Sequence, residues 1–348
     1  MKSKRNILFL INPKSGIQSK ADLPKLIENN IDKHKYDYKI EYTRYAGHAC
    51  ELAKDASEQG VDVVVAVGGD GTVNEVGRSL AGTKTAMGIL PFGSGNGLAR
   101  HLGVPMEAKK AIEFLNTAEP TSVDYGKING KPFFCTCGVG FDALVSHTFS
   151  KGSRRGILGY FNNMLTDWVN YKPEVYEIET EWSTTKMKAF LIACGNASQY
   201  GNNAYITPFA SMRDGMLSIT MLTPFTSIDV PVILSRMLGR SLHGDSHMRT
   251  FNARWIKIKR RKPGIVHFDG EPYEMDADIF VETIPSGLNV MTKSGWDGNC
   301  VCAPLYKQVV EMLSSSLDPA ILKGVLPFKE GISLKVPPFP WKGITKKK

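Results

Sequence analysis

The sequence predicts an α/β domain over residues 1–122, followed by a β-rich, antiparallel sandwich-like domain over residues 123–295. Two observations support this prediction. Before residue 122, apolar strand-like runs alternate with helical patterns, which is typical of parallel βαβ units. After residue 122, short strand-like segments dominate, which indicates an antiparallel sandwich or a related β-rich domain. A length of 348 residues also suggests two domains.

In the first domain, three apolar strands each lead into a glycine-containing loop. The strands span residues 6–11, 63–67 and 87–90. The helical patterns span residues 49–59, 73–80, 98–102 and 108–116. Ligands of an open parallel sheet bind beyond the carboxyl ends of its strands, so we expect the three loops to converge on one edge. The pattern therefore predicts a Rossmann-like domain with a ligand site at that edge.

The loop after the second of these strands holds one acid, Asp70, and leads at once into a helix. Thr72 and Glu75 have the spacing of a capping box, which predicts that the helix begins beside Thr72. Backbone N–H groups at a helix start attract phosphate. Because Asp70 would repel a phosphate directly, we expect it to act through Mg²⁺, water or a substrate hydroxyl. The combination indicates phosphoryl transfer.

Other nucleotide-binding motifs do not fit the spacing of these loops. The sequence contains no Gly-x-x-x-x-Gly-Lys-Ser/Thr, which excludes a P-loop NTPase. Gly93, Gly95 and Gly97 do not match the Gly-x-Gly-x-x-Gly dinucleotide fingerprint. The signature set of the protein kinases is also missing.

The second domain consists mainly of strand-like segments. They span residues 133–139, 176–182, 188–193, 217–222, 255–259 and 279–282. Helical patterns interrupt them at residues 158–169 and 228–238. Residues 326–348 form a proline-rich, basic tail, for which we expect loose order, with membrane contact through its aromatic rings and lysines as the alternative.

Composition indicates a cytoplasmic protein. No apolar run reaches the roughly 20 residues of a membrane helix, and the run after the basic N-terminus is too short for a signal peptide. The six cysteines lack zinc spacing. The net charge is +9, with a basic cluster over residues 257–262. No recognition motif accompanies the charge, so nucleic acid is not an expected partner. Two explanations of the basic cluster remain open: attraction to an anionic membrane surface and a solvated strand end.

Taken together, the three loops resemble the diacylglycerol kinase catalytic superfamily, which includes soluble bacterial lipid kinases and the sphingosine and ceramide kinases. The resemblance continues through residues 137–142, 213–217 and 268–271 and covers roughly residues 5–300. The element over residues 68–71 alone is shared with NAD kinases and phosphofructokinases, and the implied first domain is of that type. In this family the chain returns to the first domain near its end, which predicts that residues 296–325 pack there.

The resemblance implies a site for ATP and Mg²⁺ built from the three loops. Two loops would hold the phosphates through backbone N–H groups: Asn12, Pro13, Lys14, Ser15 and Gly16, and Gly68, Gly69, Asp70, Gly71 and Thr72. The pocket would be completed by Ser94, Gly95 and Asn96, with a further contact from Thr43. Asp70 would also organise Mg²⁺ and its water near the transferred group.

For the acceptor side, the resemblance implies a carboxylate that takes the proton of a lipid hydroxyl. Glu271 is the first choice for this general base and Asp269 the second, although Asp-Gly by itself is a common hairpin turn. Asp142 matches the region that recognises the polar headgroup. Asp124 is a secondary substrate-binding residue, with a domain-junction turn as its alternative.

A structural Mg²⁺ site is also implied, formed by Ser211, Asp214 and the carbonyl oxygen of Met216. A carboxylate, a hydroxyl and a backbone oxygen are hard ligands that suit this ion. Without the resemblance, this segment is simply a turn.

The sequence therefore predicts an ATP- and Mg²⁺-dependent lipid kinase that phosphorylates a primary hydroxyl at a membrane surface. The form of residues 93–99 favours a sphingoid base over diacylglycerol. A soluble-metabolite kinase of the NAD kinase type and a catalytically silent lipid-binding regulator stay open as alternatives. The oligomeric state is a separate question, for which a homodimer is considered.

Overall fold

The structure is a computed structural model that describes residues 4–15, 20–151 and 171–301. Several predictions fall outside these residues. They concern Gly16, the helical pattern at residues 158–169, residues 302–325 of the expected return segment, and the tail over residues 326–348.

The first part of the chain alternates strands with helices, as predicted. Its strands are β1 (Arg5–Ile11), β2 (Tyr36–Tyr42), β3 (Val63–Gly68) and β4 (Ala86–Pro91). They run parallel in the order β2-β1-β3-β4. The helices are α1 (Leu23–Asn30), α2 (His48–Glu58), α3 (Asp70–Leu80), α4 (Gly97–His101) and α5 (Ala108–Thr117). Every residue of β3 and β4 is buried, because helices cover both faces of a parallel sheet.

The second part is an antiparallel sandwich, which confirms the predicted fold class. Its first strands are β5 (Glu119–Ile128), β6 (Lys131–Phe133), β7 (Thr136–Gly140), β8 (Glu174–Thr180), β9 (Thr184–Ala189), β10 (Leu191–Gly195) and β11 (Leu217–Leu222). The later ones are β12 (Met248–Ala253), β13 (Trp255–Lys259), β14 (Gly264–Phe268), β15 (Glu271–Met275) and β16 (Asp278–Thr292). The helical elements are α6 (Phe141–Lys151), α7 (Val230–Leu238) and a 3₁₀ turn, Leu242–Gly244.

Six of these strands form one sheet in the order β12-β11-β10-β7-β14-β15. The apolar residues on one face of this sheet pack against β8, β13 and β16 of the other sheet and form the core of the sandwich. A second apolar cluster lies on the opposite face, between the sheet, α6 and α7. The six-stranded sheet is therefore covered on both sides.

Strand β16 joins the two parts of the molecule. It spans 15 residues, whereas the sequence pattern predicted a strand only over residues 279–282. Asn289 and Val290 pair with β4 in parallel, while the first residues of β16 pair with β13. The strand register shifts between Ile284 and Leu288, and Ser286 has a φ angle of +53°. This irregularity interrupts the alternating pattern, and the length of the strand was therefore missed.

Two predicted strands are each divided in the structure. Residues 188–193 cross between the sheets at Phe190, so that β9 and β10 belong to different sheets. Residues 133–139 are interrupted because Phe134 and Cys135 donate their backbone N–H groups to the side chain of Asp269. Backbone groups that bond a side chain are not available to a strand ladder.

The predicted capping box at the start of α3 is wrong. The helix begins at Asp70 with Gly69 as its N-cap residue, and no side chain of the described residues caps it. The Thr72 hydroxyl instead accepts a hydrogen bond from Asn12 Nδ2 at 3.0 Å. The Glu75 carboxylate accepts the N–H groups of Gly47 and Ala49 at the start of α2, at 2.9 and 3.2 Å. Among the described residues, the N–H groups at the start of α3 therefore remain without a side-chain cap.

The basic cluster over residues 257–262 is not one continuous surface. Lys257 and Lys259 are exposed on β13. Arg260 is buried, and its guanidinium donates to the carbonyl oxygens of Gly264 and Met275 at 2.6 and 2.7 Å. This arginine supports the β14–β15 hairpin from inside. None of the helices in the described ranges is long and apolar enough to cross a bilayer.

Candidate functional site

The three predicted loops lie together at the carboxyl edge of the parallel strands. The N–H of Asn12 donates to the carbonyl oxygen of Val67 at 3.0 Å and brings the first loop beside the second. The second and third loops touch through their backbones, because a Cβ atom on Gly93 would lie 2.5 Å from the Cα atom of Gly69. Only glycine permits so close an approach.

Asn12 fixes the shape of the first loop and links it to α3. Its Nδ2 atom donates to the hydroxyl of Thr72, and its Oδ1 atom accepts the N–H of Lys14, both at 3.0 Å. The Ser15 hydroxyl donates to the carbonyl oxygen of Asn12 at 3.1 Å. Pro13 and Lys14 are exposed on the outside of the loop. The loop is thus held from within by its own polar groups.

Asp70 holds the third loop. Its Oδ2 atom accepts the N–H of Asn96 at 2.9 Å, and its Oδ1 atom accepts the N–H of Gly97 at 2.8 Å. Burial raises the pKa of the Asp70 carboxyl above its usual value. A Cβ atom on Gly95 would lie 2.8 Å from Asp70 Oδ2, so a larger residue there would displace the carboxylate. Asp70 therefore has a structural task that the sequence did not predict.

The third loop is closed by Asn96. This residue has a φ angle of +51°, and its side chain accepts the N–H of Gly93 and donates to the carbonyl oxygen of Gly93. Ser94 is exposed at the tip of the loop. Thr43 lies at the same edge of the sheet, directly after β2, where its N–H donates to the carbonyl oxygen of Ile11 at 2.9 Å. Of these residues, Asn96 lies beside the start of α3, because its N–H donates to Asp70.

Glu271 approaches the start of α3 from the second part of the chain. Its Oε1 atom lies 3.4 Å from the position that a Cβ atom on Gly71 would occupy. Its Oε2 atom accepts a hydrogen bond from the Tyr273 hydroxyl at 2.9 Å. The side chain is exposed at the first residue of β15. The fold thus places a carboxylate next to a helix terminus that no side chain of the described ranges caps.

Asp269 supports the hairpin on which Glu271 stands. Asp269 and Gly270 have φ angles of +49° and +85°, which are those of a tight hairpin turn. The carboxylate of Asp269 accepts Asn74 Nδ2 at 2.6 Å and the N–H groups of Phe134 and Cys135 at 2.9 and 2.7 Å. Burial raises the pKa of this carboxyl. Because its oxygens are already engaged by donors, the geometry favours a supporting role and argues against Asp269 as the base.

A small cleft of about 70 Å³ opens between the loops and the second part of the chain. Its lining includes Asp70, Asn74, Asp269 and Tyr200. The Tyr200 hydroxyl donates to Asp142 Oδ2 at 2.9 Å. Asp142, which the sequence singled out, is itself buried and does not line this cleft.

Behind Tyr200, Asp142 is paired with a buried histidine. His267 Nε2 and Asp142 Oδ2 are 2.9 Å apart, and His267 is 1% exposed. A Cβ atom on Gly138 would lie 2.4 Å from Asp142 Oδ2, so the pair depends on that glycine. Sequence reasoning missed Tyr200 and His267, which are 58 and 125 residues from Asp142 and belong to no common motif.

Two known protein domains match the two parts of the chain separately. Residues 6–128 match the diacylglycerol kinase catalytic domain, and residues 135–292 match the YegS C-terminal NAD kinase beta sandwich-like domain. A relative from Pseudomonas aeruginosa PAO1, named "Probable lipid kinase YegS-like", is 31% identical over 256 residues, which cover 72% of this chain and 82% of that protein. The chain belongs to the YegS-like lipid kinase family.

Further comparisons agree with this family. A relative from Chromohalobacter salexigens with the same name is 29% identical over 274 residues, which are 76% of this chain and 86% of that protein. A crystal structure of a diacylglycerol kinase from Bacillus anthracis shares the fold, with a TM-score of 0.65 and 21% identity. The alignment covers 84% of this chain and 98% of that chain.

In this lipid kinase Asp124 lies away from the cleft. It is 2% exposed, and its Oδ1 and Oδ2 atoms accept the N–H groups of Ser286 and Gly215 at 2.8 and 2.7 Å. Its N–H donates to the carbonyl oxygen of Met212 at 2.7 Å. Asp124 therefore ties β5 to two turns, and this burial argues against the substrate contact predicted for it.

The predicted Mg²⁺ ligands of the lipid kinase lie on one turn. Asp214 Oδ1 accepts the N–H of Met216 at 3.0 Å, and Ser211 Oγ accepts the N–H of Arg213 at 3.4 Å. Burial, with a smaller effect of the Asp124 charge, raises the pKa of Asp214. The carboxylate, hydroxyl and carbonyl oxygens of these residues are hard ligands, so their chemistry fits a hard ion. In the described ranges, no three His, Cys, Asp or Glu side chains converge as a metal site.

Proposed function

We propose that this lipid kinase transfers the γ-phosphate of ATP to a primary hydroxyl of a membrane lipid. The observation that carries the proposal is the position of Glu271. Its carboxylate lies beside Gly71, at the start of a helix that no side chain in the described part of the chain caps. A helix start of this kind attracts phosphate, while a carboxylate can accept a proton. The two groups needed for phosphoryl transfer are therefore adjacent.

The three loops supply the ATP site in this proposal. Asn12 and Asp70 hold the first and third loops in place around the start of α3. The close contact between Gly69 and Gly93 leaves backbone atoms rather than side chains at the surface of the site. Backbone N–H groups in such loops bind phosphate oxygens. The residues present thus fit a nucleoside triphosphate.

The transfer needs one base. Glu271 accepts the proton of the lipid hydroxyl as its oxygen bonds to the γ-phosphorus. The bond from that phosphorus to the β,γ-bridging oxygen breaks, and ADP leaves with the electron pair. Mg²⁺, when bound, neutralises phosphate charge; Asp70 would serve it at the transfer site, and Ser211, Asp214 and the Met216 carbonyl would hold a structural ion.

The acceptor headgroup is proposed to bind beside Tyr200. Asp142, Tyr200 and His267 form a connected polar group behind the cleft, and Tyr200 is its member at the cleft wall. A carboxylate behind the wall favours a headgroup that donates hydrogen bonds, such as an ammonium or a hydroxyl. The carboxylate of Asp142 and the sequence of residues 93–99 both favour a sphingoid base, with diacylglycerol as the second candidate.

We expect Asp142→Asn and Tyr200→Phe to raise the KM for the lipid by about tenfold, the cost of one lost hydrogen bond to a charged group. The KM for ATP should stay near that of the wild type, because neither side chain belongs to the loops. Steady-state kinetics with each substrate varied in turn would check this. An unchanged lipid KM in both variants would remove this group from the headgroup site.

The proposed activity is tested with labelled ATP, Mg²⁺ and a lipid panel. The panel holds sphingoid bases, ceramides, diacylglycerols and monoacylglycerols in mixed vesicles. Label in a sphingoid base would support the proposal in full, and label in another lipid would change only the acceptor. Label in a soluble acceptor alone would instead support a soluble-metabolite kinase. No label at all, together with lipid binding, would indicate a silent regulator.

We further propose that the lipid kinase works on the cytoplasmic face of a membrane as a peripheral protein. Its substrate would lie in the bilayer, and its net charge of +9 favours an anionic surface. Vesicle sedimentation checks this expectation. Binding should increase with anionic lipid content and decrease with salt.

A further inference from the structure

Lys20 is a buried lysine beside the first loop that the sequence analysis did not single out. It is 8% exposed. Its Nζ atom donates to the carbonyl oxygen of Asn12 at 2.6 Å, to the hydroxyl of Ser15 at 2.6 Å and to the carbonyl oxygen of Ser15. An ammonium group has three N–H donors, so all of them are used within the loop.

The charge of Lys20 has no anionic partner among the described residues. All three acceptors are neutral, and the ring of Phe92 lies 5.3 Å from Nζ. No carboxylate of the described ranges forms an ion pair with this lysine. Burial lowers the pKa of the ammonium. A buried charge without a counter-ion costs free energy, and an anion supplied from outside would reduce that cost.

The contacts of Lys20 also decide which backbone groups of the loop face outward. The ammonium binds the carbonyl oxygens of Asn12 and Ser15 from inside the loop. Carbonyl oxygens would repel a phosphate, whereas N–H groups attract it. Lys20 therefore favours phosphate binding in two ways. It binds two carbonyl oxygens that would repel a phosphate, and it places a positive charge beneath the loop.

We infer that Lys20 is a positioning residue for the phosphates of ATP, acting through the first loop and through its charge. This inference rests on the proposed function. The phosphates supply the counter-ion that the ammonium lacks, so the effect should increase with the number of phosphates. A residue that merely stabilised the domain as a whole would affect every ligand of the site equally.

The test is isothermal titration calorimetry of the full chain with ATP, ADP, AMP and adenosine, each with Mg²⁺. Lys20→Met should weaken ATP binding by about tenfold or more, which corresponds to one charged interaction. The loss should become smaller from ATP to AMP and vanish for adenosine. The matched control is Lys25→Met, which removes an exposed lysine of α1 and should bind like the wild type.

A second measurement uses the wild type and does not depend on the folding of the variant. Because burial lowers the pKa of the Lys20 ammonium, a rise in pH from 7.5 to 10 should remove its proton more readily than it would from the same group in water. The affinity for ATP should then fall relative to that for adenosine. The groups in contact with Nζ, from Asn12, Ser15 and Phe92, do not titrate, and Lys14 and Asp22 nearby in the chain are exposed. Lys20→Arg, which stays charged, should remove this fall.

Three results would overturn the inference. One is equal weakening of all four ligands by Lys20→Met, and another is ATP affinity that follows adenosine affinity across the pH range. The third is a folded Lys20→Met protein with wild-type affinity for ATP. A wild type that binds none of the nucleotides would overturn the proposed function, and this inference with it.

Discussion

Glu271→Gln is expected to lower kcat by about a thousandfold, which lies within the usual contribution of a general base. The amide keeps the size of the side chain and can still accept a hydrogen bond from Tyr273, which now contacts Oε2 at 2.9 Å. What it loses is the capacity to take a proton from the lipid hydroxyl. Because Glu271 is exposed, the melting temperature should stay near that of the wild type.

The matched control for this variant is Glu274→Gln. Glu274 is an exposed carboxylate on the same strand, β15, and its substitution by glutamine changes the net charge by the same amount. It should leave kcat unaltered. Full activity of a folded Glu271→Gln protein would remove Glu271 as the base. Binding of ATP by this variant, measured separately, should equal that of the wild type, since the loops do not depend on Glu271.

Local patterns were sufficient to predict the framework of the fold. Strands β1, β3 and β4 were found because their apolar runs are uninterrupted and end in glycine loops. The strand at residues 217–222 was predicted with the bounds that the structure has. In each case the information lies within one short segment, where periodicity and turn residues act together.

Contacts between distant segments could not be predicted in the same way. Glu75 has the spacing of a capping residue for its own helix, yet it caps α2, 26 to 28 residues earlier. The carboxylate of Asp269 interrupts a strand that lies about 135 residues before it. Such bonds are made when tertiary packing offers a better partner than the local one, and a single sequence carries no signal for that choice.

The same difference between local motifs and distant contacts decides which residues of the candidate site could be predicted. The loops belong to short motifs and Glu271 was implied by the family resemblance, and the structure brings them together. Tyr200, His267 and Lys20 have ordinary surroundings in sequence, and only their burial and hydrogen bonds distinguish them. A lysine eight residues after Asn12 looks like a solvated charge until its ammonium is seen inside the loop.

Asp70→Asn is expected to reduce kcat/KM for ATP by at least about a hundredfold, which equals some 2.7 kcal/mol. The carboxylate oxygens of Asp70 each accept one backbone N–H, from Asn96 and Gly97. An asparagine has only one oxygen, so its NH₂ group must face one of these donors. The third loop would then move away from Gly69, which it touches at Gly93. Kinetics with ATP as the varied substrate check this result.

The melting temperature of Asp70→Asn distinguishes a loss of activity in the folded protein from a loss caused by unfolding. Burial raises the pKa of Asp70, which means that the folded protein disfavours the ionised form of this group. A neutral amide avoids that cost, so the melting temperature of Asp70→Asn should not fall greatly even though a hydrogen bond is lost. A loss of activity with retained stability would show that Asp70→Asn acts on function and not on folding.

The matched control is Asp62→Asn, at the opposite end of the same strand. Asp62 lies just before β3, and its Oδ2 atom accepts the N–H of Asn6 at 2.7 Å, a bond of the same kind as those made by Asp70. This variant should keep kcat/KM for ATP. A Mg²⁺ titration of Asp70→Asn then distinguishes its two roles. If Asp70 only holds the loop, half-saturation by Mg²⁺ is unchanged; if it also serves the ion, more Mg²⁺ is needed, because a neutral amide oxygen is the weaker ligand.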